Sequence, residues 1–307
     1  MYPDRIGRLK RAAKRGDAAA QTKLATLFGT GSGLSRDLRA AFHWSMKAAR
    51  QGFAPGQYLV GSSYARGDGV SRDMRRGFLW IKKSAEQNYL PAQSSLALYY
   101  LNGWGTKKNQ RLGTNLLRKA ARRGDALAQD ELGLRYEVGD GVAKNLKSAF
   151  QWFLKSAKQG FIEGQTDVAS CYGNGTGVKK DVPRKAYWYR RAAAQGDALA
   201  QYNLGVTYAT GGSRLKAKPK QAVHFYKKAA QQGYMNAQRA LGSCYYYGVG
   251  VKRNVSRAKF WYGKAARQGD AQAGKFLADL VNDRSKNIRS KASGKRSGFV
   301  PTSENNR

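Results

Sequence analysis

The chain has 307 residues, a hydrophobic share of 41% and a formal net charge of +37. Its 18 Tyr, 11 Phe and 6 Trp, set against only 6 Pro, exclude a fully disordered chain. No apolar run approaches the roughly 18 residues of a membrane-spanning helix, and residues 1–16 lack the apolar stretch of a signal peptide, so we expect a cytoplasmic protein without a transmembrane segment.

A repeat of 36 residues organises the sequence. It is marked by a glycine, replaced once by Asn88, that recurs at this spacing with one interval of 37. A fixed period of this length indicates a solenoid of stacked helical repeats. Positions within a repeat are counted from the residue after this glycine, which is offset zero. The sequence therefore predicts a half-repeat cap, seven repeats, a C-terminal capping helix and a basic disordered tail: 1–16; 17–52, 53–88, 89–124, 125–160, 161–196, 197–233 and 234–269; 270–282; 283–307.

Each repeat opens with a predicted helix. Offset four is Gln in all seven repeats, offset seven is Leu or Val, offset eight is Gly or Ala, and offset eleven is aromatic. Small and apolar residues at this spacing form one stripe of a helix with 3.6 residues per turn. The helix is predicted to end at a glycine that can adopt the left-handed conformation, found at Gly31, Gly67, Gly103, Gly139, Gly175, Gly211 and Gly248.

A second predicted helix follows a turn rich in glycine. In six repeats an Asp or Asn stands where its N-cap is expected, at Asp37, Asp73, Asn109, Asn145, Asp181 and Asn254. The sixth repeat has one additional residue, and Lys218-Pro219 replaces the cap. Proline is favoured at the first helical position, so the second helix of this repeat is expected to begin there.

These residues resemble a known family. The pattern small-Gln-x-x-Leu-Gly-x-x-Tyr-x-x-Gly-x-Gly-Val-x-x-Asp, followed by Trp-Tyr-x-Lys-Ala-Ala-x-Gln-Gly, looks like the Sel1-like repeat, a relative of the tetratricopeptide repeat. The resemblance covers about residues 5–282. It implies an all-α, right-handed superhelical solenoid of antiparallel helix pairs that acts as a non-enzymatic adaptor for a protein or peptide partner.

The residue types used in catalysis do not form a recognisable constellation. Cys171 and Cys244 share one offset in repeats that are not adjacent, so they are predicted to be buried and not joined by a disulfide. His43 and His224 have no Cys or carboxylate cluster at metal-ligand spacing. The loop 173–180 resembles a phosphate-binding loop but follows a helix instead of a strand. We therefore predict no enzyme activity, no cofactor and no metal.

The variable offsets five, nine, twelve and thirteen locate a candidate partner surface. They fall on or beside the helix face opposite the packing stripe, and in the related tetratricopeptide repeat that face lines the concave surface. Tyr and Arg are enriched at interface hot spots, although surface tyrosines are also ordinary in a chain with 18 of them. The predicted partner-binding residues are Tyr58, Asp130, Glu137, Tyr202, Arg239, Tyr246 and Tyr247.

Four acidic residues lie close together in the fourth repeat, at Asp130, Glu131, Glu137 and Asp140. One interpretation is a set of local salt bridges with neighbouring Lys and Arg side chains. The other is a site that selects a basic side chain of a bound peptide.

Basic residues recur in the turn between the two helices of each repeat. Stacking of the repeats would bring these turns together along one edge, which would create a ridge of positive potential. The ridge predicts an alternative function, the binding of a polyanion such as nucleic acid, an acidic protein or an anionic lipid surface, with help from the basic tail. The charge can also serve solubility alone. The candidate ridge residues are Arg72, Arg76, Lys107, Lys108, Lys179, Lys180, Lys252 and Arg253.

Overall fold

The fold is all-α, as predicted. The structure is a computed structural model that describes residues 2–280, so the predicted tail 283–307 lies outside the described residues. Within residues 2–280 the β structure consists of one isolated bridge, between Gly212 and Leu215. The helices are α1 (Tyr2–Lys14), α2 (Ala18–Thr30), α3 (Leu38–Arg50), α4 (Ala54–Arg66), α5 (Met74–Glu86), α6 (Leu90–Asn102), α7 (Gln110–Arg122), α8 (Ala126–Val138), α9 (Leu146–Lys158), α10 (Ile162–Asn174), α11 (Val182–Ala194), α12 (Ala198–Thr210), α13 (Pro219–Gln231), α14 (Met235–Tyr247), α15 (Val255–Ala266) and α16 (271–280).

The helices form two compact units, and the boundary between them falls after Lys179. The first compact unit contains α1–α10 and the second contains α11–α16. In each of them consecutive helices pack against one another. The two helices of a repeat are antiparallel: Gln21 near the start of α2 bonds to Gln51 just beyond α3, whereas Gly29 near the end of α2 lies against Ala41 near the start of α3.

Local sequence signals begin and end the helices. The carboxylate of Asp37 accepts a hydrogen bond from the Ala40 backbone N–H at 2.9 Å, and the other predicted second-helix caps, Asp73, Asn109, Asn145, Asp181 and Asn254, make the same contact. Such a bond satisfies an amide that has no partner within the helix. The predicted left-handed glycine ends are confirmed at Gly31, Gly67, Gly103, Gly139, Gly175 and Gly248.

The sixth repeat ends its first helix differently. Gly211 has a φ of 65° and a ψ of −145°, so the prediction of a left-handed helix end is wrong there. The additional residue of this repeat is accommodated by a short loop in which Gly212 and Leu215 exchange two backbone hydrogen bonds of 2.9 and 3.0 Å. The predicted helix start at Pro219 is confirmed, because α13 begins there without a side-chain cap from Lys218.

Small residues in the first helices let neighbouring helices approach closely. The aliphatic residue at offset seven is buried in every repeat, and Leu24, Val60, Leu132, Val168, Leu204 and Leu241 are at most 1% exposed. Next to it, a Cβ on Gly133 would lie 2.6 Å from the Phe153 ring, which is closer than side-chain atoms pack. In this repeat the helices can approach to this distance only because offset eight is glycine.

The repeated glutamine at offset four joins three helices. The Gln129 side chain donates a hydrogen bond to the Ala121 carbonyl of the preceding repeat at 3.1 Å and accepts one from Gln159 at the end of its own repeat at 2.8 Å. Both contacts recur at Gln21, Gln201 and Gln238. We call this arrangement the glutamine clamp. It ties the backbone of adjacent repeats into a fixed register, because the buried amide both donates and accepts a hydrogen bond.

Adjacent turns pack on one another within each compact unit. Gly69 has a φ of 71°, and a Cβ at this residue would lie 2.0 Å from the Leu38 carbonyl oxygen at the start of the preceding second helix. The same approach of a turn glycine to a backbone carbonyl occurs between Gly105 and Met74, Gly177 and Leu146, and Gly250 and Pro219. Successive turns of a compact unit are therefore in close contact with the start of the preceding second helix.

Candidate partner-binding surfaces

The end of α14 presents an aromatic pair. The rings of Tyr246 and Tyr247 meet edge to face with their centroids 4.8 Å apart, and 59% of Tyr247 is exposed. The Arg253 guanidinium lies 5.8 Å from the Tyr246 ring centroid. The end of α14 therefore exposes an aromatic surface, and the contact between the two rings and the nearby guanidinium help to hold it in place.

Tyr202 and Arg239 are more tightly engaged within the second compact unit. The Tyr202 ring packs against Tyr226 and Tyr234, with centroid distances of 5.9 and 5.3 Å. Arg239 Nε donates to the Asp270 carboxylate at 2.8 Å, and its guanidinium also bonds to Gln272. Arg239 is therefore partly neutralised inside the protein, and Tyr202 presents only part of its ring.

In the first compact unit the predicted residues lie on two different helices. Tyr58 of α4 is half-buried and packs edge to face on Tyr89, with the ring centroids 5.6 Å apart. Asp130 and Glu137 belong to α8. Tyr58 therefore belongs to an aromatic contact, and the two acidic residues belong to a different group of side chains.

That group spans two adjacent first helices. We call it the acidic cluster, and it consists of Asp130, Glu131 and Glu137 of α8 together with Glu163 and Asp167 of α10. Its members differ in burial: Glu163 is exposed, Glu131, Glu137 and Asp167 are half-buried, and Asp130 is only 4% exposed. The acidic cluster therefore contains carboxyl groups of graded burial, and Asp130 is the most buried of them.

Burial and mutual repulsion disfavour the charged forms of these groups. Burial raises the pKa of Asp130 to about 8, with smaller contributions from Asp167, Glu131 and Glu163. Burial likewise raises the pKa of Asp167 to about 6, helped by Glu137, Glu163 and Glu131. The pKa of Glu131 is raised by burial as well, although Arg135 lowers it. At neutral pH the acidic cluster therefore holds at least one proton.

Local salt bridges do not account for the acidic cluster. Asp140 pairs with the Arg135 guanidinium, as that interpretation predicts, but none of the five cluster carboxylates forms an ion pair with another described residue. Asp130 Oδ1 is buried and has no hydrogen-bond partner within residues 2–280. Glu163 and Asp167 were not predicted as site residues. Acidic residues on the first helices of two successive repeats were the signal that could have found them.

The cations of the candidate ridge are all exposed. Two of them have a structural role, because Arg72 Nε donates to the Ala65 carbonyl at 3.1 Å and Arg253 Nε donates to the Tyr246 carbonyl at 3.0 Å. Arg76 lies 3.4 Å from its cap residue Asp73. These three arginines therefore satisfy carbonyls and a carboxylate at helix ends. The exposed lysines Lys107, Lys108, Lys179, Lys180 and Lys252 are distributed over both compact units.

The cysteines are buried and the histidines are exposed. Cys171 and Cys244 are free and buried, as predicted. Burial raises the pKa of Cys171 to about 12 and that of Cys244 to about 11. His43 and His224 are exposed on second helices. In the part of the chain that the structure describes, no three His, Cys, Asp or Glu side chains are placed to hold a metal ion.

The fold defines the class of protein: a tandem array of antiparallel helix pairs, joined by glycine turns and a repeated glutamine clamp. The model of the Sel1 repeat matches this chain seven times, at residues 18–53, 54–89, 90–125, 126–161, 162–197, 198–234 and 236–270. The chain therefore belongs to the Sel1 repeat family, and the predicted fold class and resemblance are confirmed. Proteins with Sel1 repeats are generally non-catalytic scaffolds that bind other proteins.

Two solved structures illustrate the similarity. A protective antigen of uropathogenic Escherichia coli with an SLR fold is 32% identical to this chain, with a TM-score of 0.65. The match covers 90% of this chain and 59% of the antigen. A Sel1 repeat protein of Oxalobacter formigenes has 32% identity and a TM-score of 0.66, covering 89% of this chain and 78% of its own. A comparison with curated proteins finds no match. None of the helices within residues 2–280 has the length and apolar character needed to cross a membrane.

Proposed function

We propose that this protein is a non-enzymatic adaptor that binds a peptide or protein segment on the exposed faces of its first helices. One observation carries the proposal: the packing positions repeat from one first helix to the next, whereas the positions beside them vary and reach the surface. Tyr247 at offset thirteen is 59% exposed, and Leu134 and Val138 on α8 are 37% and 68% exposed. Exposed aromatic and apolar side chains on a rigid helix are typical of protein interfaces.

The setting of the proposal is a reducing, cytoplasmic compartment. Two buried, unpaired cysteines within residues 2–280 support it, because free thiols are the common state there. In this proposal residues 1–16 and 270–282 cap the two ends of the repeat array.

A peptide selection tests the adaptor proposal. Peptides would be selected from a displayed random library on the wild-type chain, and their affinities would be measured by fluorescence polarisation. Tyr247→Ala should weaken the selected peptides at least tenfold, because a truncated interface tyrosine commonly costs more than about 1.4 kcal/mol. Tyr187→Ala is the matched control, since Tyr187 is 48% exposed but belongs to the second helix α11. Failure to select any peptide, or equal effects of both changes, would contradict the proposal.

A second candidate function is supported by the ridge lysines. The close packing of turn glycines on the preceding helices, the exposure of the turn lysines and a net charge of +37 support binding to a polyanion. The test is a titration of a fluorescent single-stranded RNA of arbitrary sequence between 50 and 200 mM salt. Affinity should fall steeply with salt, and Lys107→Ala/Lys108→Ala should reduce the salt slope more than the control Lys155→Ala/Lys158→Ala on α9. Undetectable binding near 50 mM salt would remove this candidate.

A further inference from the structure

The acidic cluster stands out against the charge of the rest of the chain. A protein with 56 Lys and Arg and 19 Asp and Glu gathers five of those carboxylates on α8 and α10 without placing a described cation in an ion pair with any of them. Repulsion among these carboxylates raises the free energy of the folded chain. An arrangement of this kind gains its stabilisation when a positive group arrives from outside.

Asp130 indicates where that positive group would bind. Its side chain is buried, and Oδ1 has no hydrogen-bond partner among the described residues. A buried polar oxygen without a hydrogen-bond partner costs roughly 1–3 kcal/mol. The other carboxyl groups of the acidic cluster are more exposed than Asp130, and Glu163 is the most exposed of them.

The surroundings of the acidic cluster favour a side chain over a bare metal ion. The described residues do not place three ligating groups close enough to hold a metal. On α8, the exposed Leu134 and Val138 follow Asp130 at intervals of four residues, on the same side of the helix. A long side chain with an apolar stem and a cationic end matches this combination of an apolar rim and recessed carboxylates.

We propose that the acidic cluster is a recognition pocket for a single lysine or arginine side chain of the protein partner, with Asp130 and Asp167 as its principal ligands. This inference rests on the proposed adaptor function and specifies what the partner must supply. The positive potential of the whole chain repels a polybasic segment, so the expected partner segment carries one basic residue with apolar or acidic neighbours.

The protonation of the pocket gives the inference a pH dependence. The charged groups that act on Asp130 and Asp167 are Glu131 and Glu137 of α8 and Glu163 of α10. Arg135 of α8 acts on Glu131, and the buried thiol of Cys171 on α10 interacts with Asp167. The raised pKa values of Asp130 and Asp167 mean that binding of a cation displaces protons, so affinity should increase as the pH rises from 6 to 8.

The experiment uses probes that carry one side chain and no terminal charges. N-acetyl-arginine methylamide and N-acetyl-lysine methylamide are titrated into the full-length protein at low salt and pH 7.5, and backbone amide shifts are followed by NMR. N-acetyl-citrulline methylamide has nearly the shape of the arginine probe without its charge. We expect saturable shifts confined to amides of α8 and α10 with the cationic probes, and at least fivefold weaker binding at pH 6.

Two variants of the pocket and one control complete the test. Asp130→Asn and Asp167→Asn should each weaken the arginine probe at least fivefold while keeping the helical circular dichroism spectrum. Glu86→Gln makes the same charge change at an exposed residue of α5 and should leave binding unchanged. Equal shifts with the citrulline probe, no saturable shift on α8 and α10, or equal loss in Glu86→Gln would overturn the inference. The adaptor proposal is decided separately, by the selected peptides and Tyr247→Ala.

Discussion

Replacement of Asp130 by Asn tests the electrostatics of the acidic cluster through stability. Burial raises the pKa of Asp130 from 3.8 to about 8 in the folded chain, so between these values the folded state holds a proton that the unfolded state has released. The stabilisation linked to this proton is complete below pH 3.8 and is lost as the pH rises toward 8. Asparagine keeps the shape of the protonated acid and does not titrate, so the variant lacks this part of the pH dependence.

The magnitude follows from the proton linkage. One proton of difference between the two states changes the free energy of unfolding by about 1.4 kcal/mol per pH unit. Between pH 4.5 and 7.5, the wild type should therefore lose about 4 kcal/mol relative to Asp130→Asn. Asp167, whose pKa is raised to about 6, is present in both proteins, so its contribution largely cancels in the comparison.

The assay combines urea unfolding at the two pH values with an NMR titration of the Asp130 carboxyl carbon. The carboxyl signal should titrate near pH 8, and the stability difference between the variant and the wild type should grow with pH. A midpoint near 4 would refute the reasoning, as would a stability difference that stays constant to within about 1 kcal/mol, which is less than one pKa unit of linkage.

Three further predictions concern the repeat itself. Gly69→Ala should destabilise the first compact unit by about 3 kcal/mol in urea unfolding, because its Cβ would meet a backbone carbonyl. Gly124 also has a positive φ but open space around it, so Gly124→Ala should cost only about 1–2 kcal/mol. Similar losses from the two changes would contradict this reasoning. Gln129→Ala should cost about 2–3 kcal/mol by removing both bonds of the glutamine clamp, and an unchanged unfolding midpoint would argue against the clamp. Because their pKa values are raised to about 12 and 11, Cys171 and Cys244 should react with iodoacetamide at pH 8 much more slowly in the folded than in the urea-unfolded chain, and equal rates would show that they are accessible.

The features that depend on short stretches of sequence could be predicted. An Asp followed by a helical pattern, as at Asp37, makes its capping bond within three residues, and the glycine at Gly31 ends its helix by a local hydrogen bond. Gly211 shows the limit of this reasoning. Its repeat contains the same glycine, but the additional residue changes the loop that follows, and the backbone angle changes with it.

The features that depend on contacts between repeats could not be predicted in full. The invariant glutamine was visible at Gln129, but its partners lie 8 and 30 residues away and are brought together only by the packing of three helices. The acidic cluster combines residues of α8 and α10, whereas the fourth repeat alone suggested local salt bridges, which Asp140 makes and the cluster carboxylates do not. Arg72 was assigned to the ridge by its charge, and its bond to a helix-end carbonyl required the turn geometry.

The glutamine clamp has a consequence for how such a chain can change in length. Each clamp uses the same atoms at the same spacing, so deletion or duplication of a 36-residue cassette would reconnect equivalent partners at the new junction. The array can therefore gain or lose repeats by recombination without requiring a new interface between repeats. The acidic cluster does not share this tolerance, because a deletion that separates α8 from α10 would remove the site that these two helices form together.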